Sequence, residues 1–417
     1  MTPEIKQRIE QIRRGEVPER YVKTALGLAP ANWKRYTFGD IYTERKEPGD
    51  EKLPLLMVSI HSGVSDGEVD AAELPKQVKR IEDKSQYKKA VSGDLVFNMM
   101  RAWQGAIGTV RTTGMVSPAY IVAEPNDKVY PLFMDYYSRT PQMINQIDRQ
   151  SYGVTDFRKR LYWDSFAPIG CTLPPIEEQQ KIATILTTQD KVIKLKEKRL
   201  AEKQRQKKYL MQQLLTGKKR LPGFSGEWKK AKLKNILYER KTYSPKGLEY
   251  PHVTLSAEGI FPKSERYDRD HLVRDEDKEY KITHKGDICY NPANLKFGAI
   301  CENTFGDAIF SPIYVTFEVE ENICKEYIAN YLMRWDFINA VRKYEEGTVY
   351  ERMAVKPEDF LKFEIFLPQI EEQTAIAEVL SAADREIELL QQDIEQEKQK
   401  KKALMQLLLT GIVRVKT

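Results

Sequence analysis

Side chains suited to binding a polyanion are concentrated in two stretches of the sequence, residues 149–163 (RQSYGVTDFRKRLYW) and residues 345–355 (EEGTVYERMAV). Arginine and lysine neutralise phosphates, an arginine guanidinium can also read guanine in a major groove, and an aspartate can accept from cytosine N4. Charged runs are usually solvated surface, so a loop without a ligand is an equally good interpretation of each single residue. The candidate contacts in these stretches are Tyr152, Thr155, Asp156, Arg158, Lys159, Arg160, Thr348, Tyr350, Glu351 and Arg352.

A second pair of candidate loops is NMMRAWQG, residues 98–105, and NPANLKFG, residues 291–298. Both follow matching strand-like text, and they contain residue types that make bidentate base contacts or phosphate contacts. A tryptophan is more often a core residue than a ligand contact, so we expect Trp103 to be part of the core. A third pair, SIHSGV and TLSAEGI, follows an earlier strand in each half. The candidates from these loops are Asn98, Arg101, Gln104, Asn294, Lys296, His61 and Ser62.

Motifs for catalysis and metal binding are missing from the sequence. An adenine methyltransferase would carry a glycine-rich cofactor loop and an Asn/Asp-Pro-Pro-aromatic motif, and the nearest text is YNPAN, residues 290–294, which lacks the second proline and the aromatic. We interpret it as a loop after the GDICY strand. The sequence has no Walker loop, no CxxC pair among its four cysteines and no HxxxH spacing among its four histidines. These patterns favour binding over catalysis and indicate neither a zinc site nor a disulfide framework.

Composition sets the broad class. The chain has 417 residues, of which 41% are hydrophobic and 31% are charged, which suits a globular protein of two or three domains. The net charge of +6 is compatible with a polyanionic partner but is weak evidence alone. No apolar run approaches the ~20 residues that span a bilayer, and the amino terminus lacks the apolar core of a secretory signal, so we expect a cytoplasmic protein that contacts no membrane.

The elements that must position these loops come from a repeat. LPPIEEQQKIATIL at residue 173 returns as LPQIEEQTAIAEVL at residue 367, and 21 of 45 positions are identical between residues 173–217 and 367–411 without a gap. Proline and two glutamates mark the start of a helix, while Gly217 and Gly411 stand where a left-handed cap would end it. Roughly 40 residues separate these signals, about 60 Å if fully helical.

Apolar residues recur in both copies at spacings of seven and four, which are heptad spacings, with polar interruptions at residues 203–207 and 397–401. The two stripes should pack on each other, although two separate helices, each lying on its own domain, are an alternative. Fainter repeats surround them, including SGDLVFN against KGDICYN and VSPAYIV against FSPIYVT. Short β-branched runs predict strands, whereas PLFMDYYSRTPQMINQI and EYIANYLMRWDFINAVRKY predict amphipathic helices. Each domain is therefore predicted to be mixed α and β.

Taken together, these motifs resemble the specificity subunit of type I restriction-modification systems. The resemblance rests on proline before IEEQ, an Ile-Ala-x-x-Leu helix ending in LLTG, and the occurrence of both after two divergent domains. GDIYTERK, LPGFSGEW, the GDL and SPAY signatures and GVTDFRKRLYWDSF also resemble that family. The match covers essentially the whole chain, and it predicts an α+β protein with an internal pseudo-twofold repeat.

The resemblance implies a division into two mixed α/β target recognition domains separated by two long, antiparallel, coiled-coil-like conserved helices. Each recognition domain would read one half of a split, non-palindromic target in double-stranded DNA, and the helix length would set the gap between half-sites. The implied segments are an amino-terminal helical extension at 1–30, recognition domains at 31–172 and 227–366, a linker at 218–226, and conserved helices at 173–217 and 367–417.

The resemblance also implies partners. The conserved helices would dock two methyltransferase (modification) subunits, and motor-nuclease (restriction) subunits could join the complex. The subunit would catalyse nothing and bind no cofactor, because S-adenosylmethionine, ATP and magnesium would lie on its partners. Docking is expected where the two copies are most alike, since two identical partners require it. The candidate docking residues are Ile176, Glu177, Gln179, Ile182, Ile370, Glu371, Gln373 and Ile376.

Other interpretations stay open at this point. Residues 191–220 contain twelve Lys/Arg and two Glu, so a basic helix face beside the DNA spacer and a merely solvated face are equally good. The chain could also be an orphan specificity protein or the recognition subunit of a related type IIB-like system. A hypothesis from the enzyme class is a self-sufficient methyltransferase or nuclease.

Overall fold

The chain folds into two compact units, the first formed by residues 1–196 with 393–417 and the second by residues 197–392. The computed structural model describes residues 3–24, 27–50, 52–65, 86–153, 159–245, 250–263, 279–345 and 354–415. Two long helices contribute to both units, so the unit boundary falls within them. Within the described ranges, no helix is long and apolar enough to cross a membrane.

The first unit begins with an extension and continues as a mixed α/β domain. Its helices are α1 (Pro3–Arg13), α2 (Phe38–Ile41), α3 (Pro131–Tyr137), α4 (Pro141–Arg149), α5 (Trp163–Phe166) and the long α6 (Ile176–Leu214). Its strands are β1 (Tyr21–Thr24), β2 (Gly27–Pro30), β3 (Lys34–Thr37), β4 (Tyr42–Glu44), β5 (Val58–Ser59), β6 (Gly63–Val64), β7 (Lys88–Ala90), β8 (Leu95–Asn98), β9 (Ile107–Thr109), β10 (Gly114–Val116), β11 (Tyr120–Pro125) and β12 (Gly170–Leu173).

The second unit repeats this plan without the extension. Its strands are β13 (Lys229–Lys232), β14 (Leu237–Glu239), β15 (Tyr243–Pro245), β16 (Val253–Ser256), β17 (Gly259–Pro262), β18 (Glu279–Thr283), β19 (Ile288–Tyr290), β20 (Ile300–Glu302), β21 (Ala308–Phe310), β22 (Val315–Val319) and β23 (Glu364–Leu367). Its helices are α7 (Lys325–Leu332), α8 (Trp335–Val341), α9 (Pro357–Phe360) and the long α10 (Ile370–Leu409).

The two units share the strand order of their main sheet, although the β7-β10 pair of the first unit corresponds to a three-stranded sheet, β15-β18-β21, in the second. A four-stranded antiparallel sheet runs β4-β11-β8-β9 in the first unit and β14-β22-β19-β20 in the second. A two-stranded ladder precedes each long helix, β3 with β12 and β13 with β23. The hairpins β5-β6 and β16-β17 also correspond. The mixed α and β content predicted from the sequence is therefore confirmed in both units.

Aromatic residues fill the core of each domain. Phe166 contacts Phe38 and Phe97 with ring centroids 4.3 and 4.6 Å apart in the first unit. In the second unit Tyr290 stacks on Phe360 at 4.9 Å. The ends of the long helices complete both cores, because Ile182 and Leu408 are buried in the first core and Leu214 and Ile376 in the second.

The start of each long helix is anchored by one glutamine. The Gln179 side chain accepts from the Tyr130 backbone N–H at 2.8 Å and donates to the Pro174 carbonyl at 3.0 Å. Gln373 repeats both bonds with Cys324 at 3.1 Å and Pro368 at 3.0 Å. These bonds hold the helix entrance on its domain.

A buried glutamate directly precedes each of these glutamines and forms a joint with a tryptophan and an arginine. Glu178, which is fully buried, accepts from Trp33 at 3.3 Å and from Arg414 at 2.7 Å. Hydrogen bonding to this carboxylate raises the pKa of Arg414. We call Trp33, Glu178 and Arg414 the first joint.

The second unit contains the same three residue types in the same geometry. Glu372 accepts from Trp228 at 3.3 Å and from Arg220 at 2.7 Å, and its hydrogen bond raises the pKa of Arg220. We call Trp228, Glu372 and Arg220 the second joint. Gly217 and Gly411 have φ of 69° and 71°, so the predicted left-handed glycines past the helix ends are confirmed.

Charged side chains link the long helices within each unit. In the first unit Lys196 pairs with Asp393 at 2.8 Å and Lys401 with Asp190 at 2.6 Å. In the second unit Lys203 pairs with Glu386 at 2.8 Å, and Lys207 pairs with Asp384. Partner numbers fall on α10 as they rise on α6, so the two helices run antiparallel within each unit. The polar interruptions at 203–207 and 397–401 are sites of these ion pairs.

Two secondary-structure expectations need correction. In the described part of the extension at 1–30, the helix covers Pro3–Arg13 and the hairpin β1-β2 follows. The two stretches predicted as single amphipathic helices each form two short helices. In the first unit Pro141 starts a new helix and the Thr140 hydroxyl caps it, accepting from the Met143 N–H. In the second unit Arg334 is extended and breaks the helix there.

Candidate nucleic-acid interface

Three stretches chosen from the sequence come together in the first unit. The Leu161 N–H donates to the Met99 carbonyl at 2.9 Å, which joins residues 159–163 to the loop after β8. An added Cβ at Gly105 would lie 3.4 Å from the Ile60 carbonyl oxygen, so the β5-β6 turn is packed against the same loop. We call residues 59–62, 98–105, 150–153 and 159–163 the first loop cluster.

A short 3₁₀ helix, Ala102–Gln104, shapes the loop after β8. It ends at Gly105, whose φ of 103° is a left-handed conformation that glycine adopts without a steric cost. Arg101 and Gln104 flank its buried Ala102 and point to solvent. The backbone thereby presents a cation and an amide at the tip of a rigid turn, where they can meet a ligand.

Trp103 is half-buried and supports this tip. Its indole N–H donates to the Met100 carbonyl at 3.0 Å, and the Lys159 ammonium lies 5.0 Å from its ring centroid. Lys159 also forms an ion pair with Asp148 at 2.7 Å. Trp103 and Lys159 thus tie the two stretches together, which makes Lys159 a positioning residue more than a free phosphate contact.

The remaining candidates of the first loop cluster divide by exposure. Tyr152 is 65% exposed, and His61 and Ser62 are exposed on the β5-β6 turn. Arg160 is half-buried, and its backbone exchanges two hydrogen bonds with Tyr152, at 2.7 and 2.9 Å. Tyr152 is therefore held by its backbone pairing with Arg160, and its exposed side chain is available for stacking or for a hydroxyl contact.

Asn98 has a structural role in the same loop. Its side-chain oxygen accepts from the Met100 N–H at 2.9 Å, and the equivalent Asn291 oxygen accepts from Ala293 at 3.1 Å. Asn291 is buried, so the YNPAN stretch is a turn after β19, as the sequence indicated. Bidentate reading of adenine by Asn98 would compete with the bond that closes its turn.

The second unit assembles the corresponding loops. The 3₁₀ helix Leu295–Phe297 ends at Gly298, with a φ of 83°, and an added Cβ there would lie 3.9 Å from Ala257 of the β16-β17 turn. The Val355 N–H donates to the Pro292 carbonyl at 3.3 Å. We call residues 256–259, 291–298 and 354–355 the second loop cluster.

Different side chains stand at the tip of the second loop cluster. Asn294 is exposed, and the half-buried Lys296 ammonium lies 5.3 Å from the ring centroid of Phe297, which is 64% exposed. An exposed aromatic ring beside a cation can stack on a base or on a sugar. Sequence reasoning missed Phe297 and the exposed Met100 and Tyr162, because a single apolar residue in a loop gives no periodic signal.

Seven candidates fall outside the residues that the structure describes. They are three of the six candidates chosen from the RQSYGVTDFRKRLYW stretch and all four chosen from its counterpart. Their roles stay predictions. These residues are Thr155, Asp156, Arg158, Thr348, Tyr350, Glu351 and Arg352.

The sequence ERK occurs at residues 44–46 and 239–241, and its arginine holds the domain together in both units. Arg45 donates to the buried Asp94 at 2.8 Å, and Arg240 donates to the buried Asp287 at 2.9 Å. Each acid comes from the GD signature that precedes the central strand, β8 or β19. A structural role therefore accounts for these arginines. In the described part of the chain, no group of three or more His, Cys, Asp or Glu could hold a metal ion.

Four of the eight residues expected to dock a partner are buried, so the prediction is wrong for these four. Ile182 and Ile376 are completely buried in the two domain cores, while Gln179 and Gln373 are buried in the helix anchors. Side chains without exposed surface cannot contact a partner, so repeat identity at these four positions reflects folding. The candidates that keep exposed surface are Ile176, Glu177, Ile370 and Glu371.

Comparison with known proteins identifies the family. The sequence model of the type I restriction modification DNA specificity domain matches residues 70–204 and 226–399, which is most of the chain. The chain belongs to this family. The type I restriction enzyme MjaVIII specificity subunit of Methanocaldococcus jannaschii is 24% identical over 364 residues, covering 80% of this chain and 83% of that protein.

Solved structures share the fold of this specificity-domain protein. A type I restriction-modification system S subunit from M. genitalium superposes with a TM-score of 0.55 at 10% identity, covering 93% of this chain and 97% of that one. A chain from a study of complex assembly and conformational transition of the type I R-M system gives a TM-score of 0.53 at 16% identity, covering 92% and 99%. The repeated domains are therefore matched along nearly their whole length.

Proposed function

We propose that this chain is the non-catalytic DNA-reading subunit of a type I restriction-modification enzyme, and that each loop cluster reads one half of a bipartite, asymmetric target. One observation carries the proposal. The two units repeat the strand order of the four-stranded sheet, the glycine turns and the loop contacts, yet they present Arg101, Gln104 and Tyr152 in one case and Asn294, Lys296 and Phe297 in the other. Two domains with the same backbone arrangement but different side chains at the loop tips are suited to bind two different DNA sequences.

The long helices suit a spacer between two half-sites. They contain 39 and 40 residues, which corresponds to about 60 Å each. Two readers on one face of a duplex must lie about 34 Å apart or a multiple of it. A change in helix length would then change the number of unread base pairs between the half-sites.

Partners supply the chemistry in this proposal. Two methyltransferase subunits dock on the repeated helices and bring S-adenosylmethionine, and restriction subunits bring ATP and magnesium. Ile176, Glu177, Ile370 and Glu371 are candidate contacts, since they are identical between the copies and retain exposed surface. The fold alone also suits an orphan specificity protein or a type IIB-like recognition subunit. The genes beside this one discriminate these alternatives.

Methyl transfer in vitro tests the proposal. The pure chain, incubated with double-stranded DNA and labelled S-adenosylmethionine, should transfer nothing, whereas adding the methyltransferase subunit encoded beside it should produce adenine methylation at one bipartite sequence. Methylome sequencing of the host with and without the gene should show that same sequence appear and disappear. Transfer by the chain alone, or a methylome that does not depend on the gene, would sink the proposal.

A further inference from the structure

A cleft of about 650 Å³ opens in the first unit between the amino-terminal extension and the carboxy-terminal part of α10. Ile12 of α1 and Leu28 of β2 form one wall, while Met405 and Ile412 form the other. The start of α4 closes one end. A cleft with apolar walls on two separate elements is a site that excludes water only when something fills it.

The α1 helix lacks the packing that would hold it in place. It is amphipathic, with Ile5, Ile9 and Ile12 along one side, yet none of its eleven residues is buried. An isolated helix of this length is marginal in water. Arg8 attaches it by donating to the Ile412 carbonyl at 3.0 Å and by lying 5.3 Å from the Tyr21 ring centroid. Ile12 at the end of this apolar side lines the cleft and is only half-buried, so an occupant of the cleft would bury it further.

The rim of the cleft is positively charged. Lys398, Lys401 and Lys402 line it, and none of its thirteen described lining residues is acidic. Lys401 is held by Asp190, whereas Lys402 is exposed. An apolar floor beside lysines complements a segment that is apolar on one face and acidic along its edges.

The surface of α10 that forms one wall of the cleft is repeated in sequence on α6. Lys402, Met405, Gln406 and Thr410 are identical to Lys208, Met211, Gln212 and Thr216, which lie at the same positions of α6. Met405 and Met211 pack against the domain cores, but Lys402 and Gln406, like Lys208 and Gln212, are exposed, so core packing does not explain the identity of these polar residues. Two copies of one partner would explain it. Between Leu214 and Lys229 the structure has no helix or strand, so the surface on α6 has no counterpart of α1.

We propose that the cleft is a docking groove for an acidic amphipathic helix of the modification subunit, and that the extension makes the two docking sites unequal. The inference rests on the proposed function. A helix lying between α1 and α10 would complete a three-helix packing, and contact along α1 limits it to about 16 Å, or three turns. The copy that docks in the first unit gains contacts with Ile12 and Leu28 that the second copy lacks.

Titration of the full chain with the purified methyltransferase subunit encoded beside it tests the inference. We expect two binding events, one at least about tenfold tighter than the other. Ile12→Asp and, independently, Leu28→Asp should weaken only the tighter event, by about tenfold or more. Lys402→Glu should also weaken the tighter event, while its matched control Lys208→Glu should weaken only the other. Thermal unfolding should confirm that each variant is folded.

The outcomes separate the inference from the proposed function. Two events that Ile12→Asp and Leu28→Asp leave unchanged would overturn the docking groove and leave the DNA-reading function standing. An equal loss in both events would also overturn it, because the asymmetry would be absent. No binding event at all would overturn the docking groove together with the proposed partnership.

Discussion

The two loop clusters differ in their side chains, whereas the two joints consist of the same residue types. The first and second joints repeat the same three residue types, with carboxylate to guanidinium distances of 2.7 Å in both. The loop clusters repeat only their backbone, since Arg101 stands where the second unit has Asn294 and Gln104 where it has Phe297. After a duplication, positions that fold the chain stay alike and positions that meet different ligands diverge. The comparison thus separates scaffold from reading surface within one molecule.

The joints should give the largest energetic effect and the most equal one. Glu372→Ala leaves Arg220 and Trp228 without their buried acceptor, so the second unit should lose about 3 kcal/mol of stability. Glu178→Ala should cost the first unit a similar amount. Peptide-resolved hydrogen exchange checks both, because it reports local free energies of opening separately for each unit. The exposed neighbours provide controls, since Glu177→Ala and Glu371→Ala should change either unit by less than about 0.5 kcal/mol.

Unequal losses at the two joints would show that the apparent equivalence is only geometric. Loss of protection in the untouched unit would show that the joints couple the units. Either result would contradict the claim that the two joints are equivalent and act independently.

A strand position gives a smaller effect confined to one unit. Gly114 begins β10, and an added Cβ would lie 2.6 Å from both the Pro54 carbonyl oxygen and the Leu56 side chain. The second unit has Ala308 at the equivalent position of β21. Gly114→Ala should therefore cost about 2 kcal/mol through overpacking, while Ala308→Gly should create a smaller defect. Denaturation followed by unit-resolved hydrogen exchange measures both, and a neutral Gly114→Ala would refute the close approach.

The loop tips should have the smallest effect on stability, and their effect on DNA binding should be restricted to one half-site each. Arg101→Ala should lower the slope of log affinity against log salt by about one if the guanidinium holds a phosphate, or cost about 1–3 kcal/mol at one base if it reads an edge. Arg101→Lys keeps the positive charge but loses the planar guanidinium that can donate two parallel hydrogen bonds, so it distinguishes a phosphate contact from the reading of a base edge. Lys296→Ala should act only on the other half-site. Binding to targets with one half scrambled checks the assignment, and effects on both halves from one variant would contradict it.

Much of the fold could be predicted because its signals are local or periodic. Proline, paired glutamates and glycine located both long helices, which begin at Ile176 and Ile370. β-branched runs located β8, β11, β16 and β22. The β1-β2 hairpin was missed because its four-residue strands have little alternation. The split of each predicted domain helix was missed because the apolar pattern continues across the break.

The candidate site could be predicted only in part. Residue type selected the loop after β8 and the stretch ending at Trp163, and the structure brings them together through Leu161 and Met99. Residue type could not show that Lys159 already pairs with Asp148, because that partner is eleven residues away in another element. Repeat identity misled the docking assignment at Ile182 and Ile376, since identity arises from a shared core as readily as from a shared partner.

Exchange of one domain tests the central claim most directly. Residues 31–172 would be replaced by the first domain of another specificity subunit, with both long helices and residues 227–366 unchanged, and the methylome of a host expressing the chimera would be sequenced. The account predicts a methylated sequence with one new half, the other half retained and the spacer unchanged. A sequence altered in both halves, or one that is unaltered, would contradict independent reading by the two units.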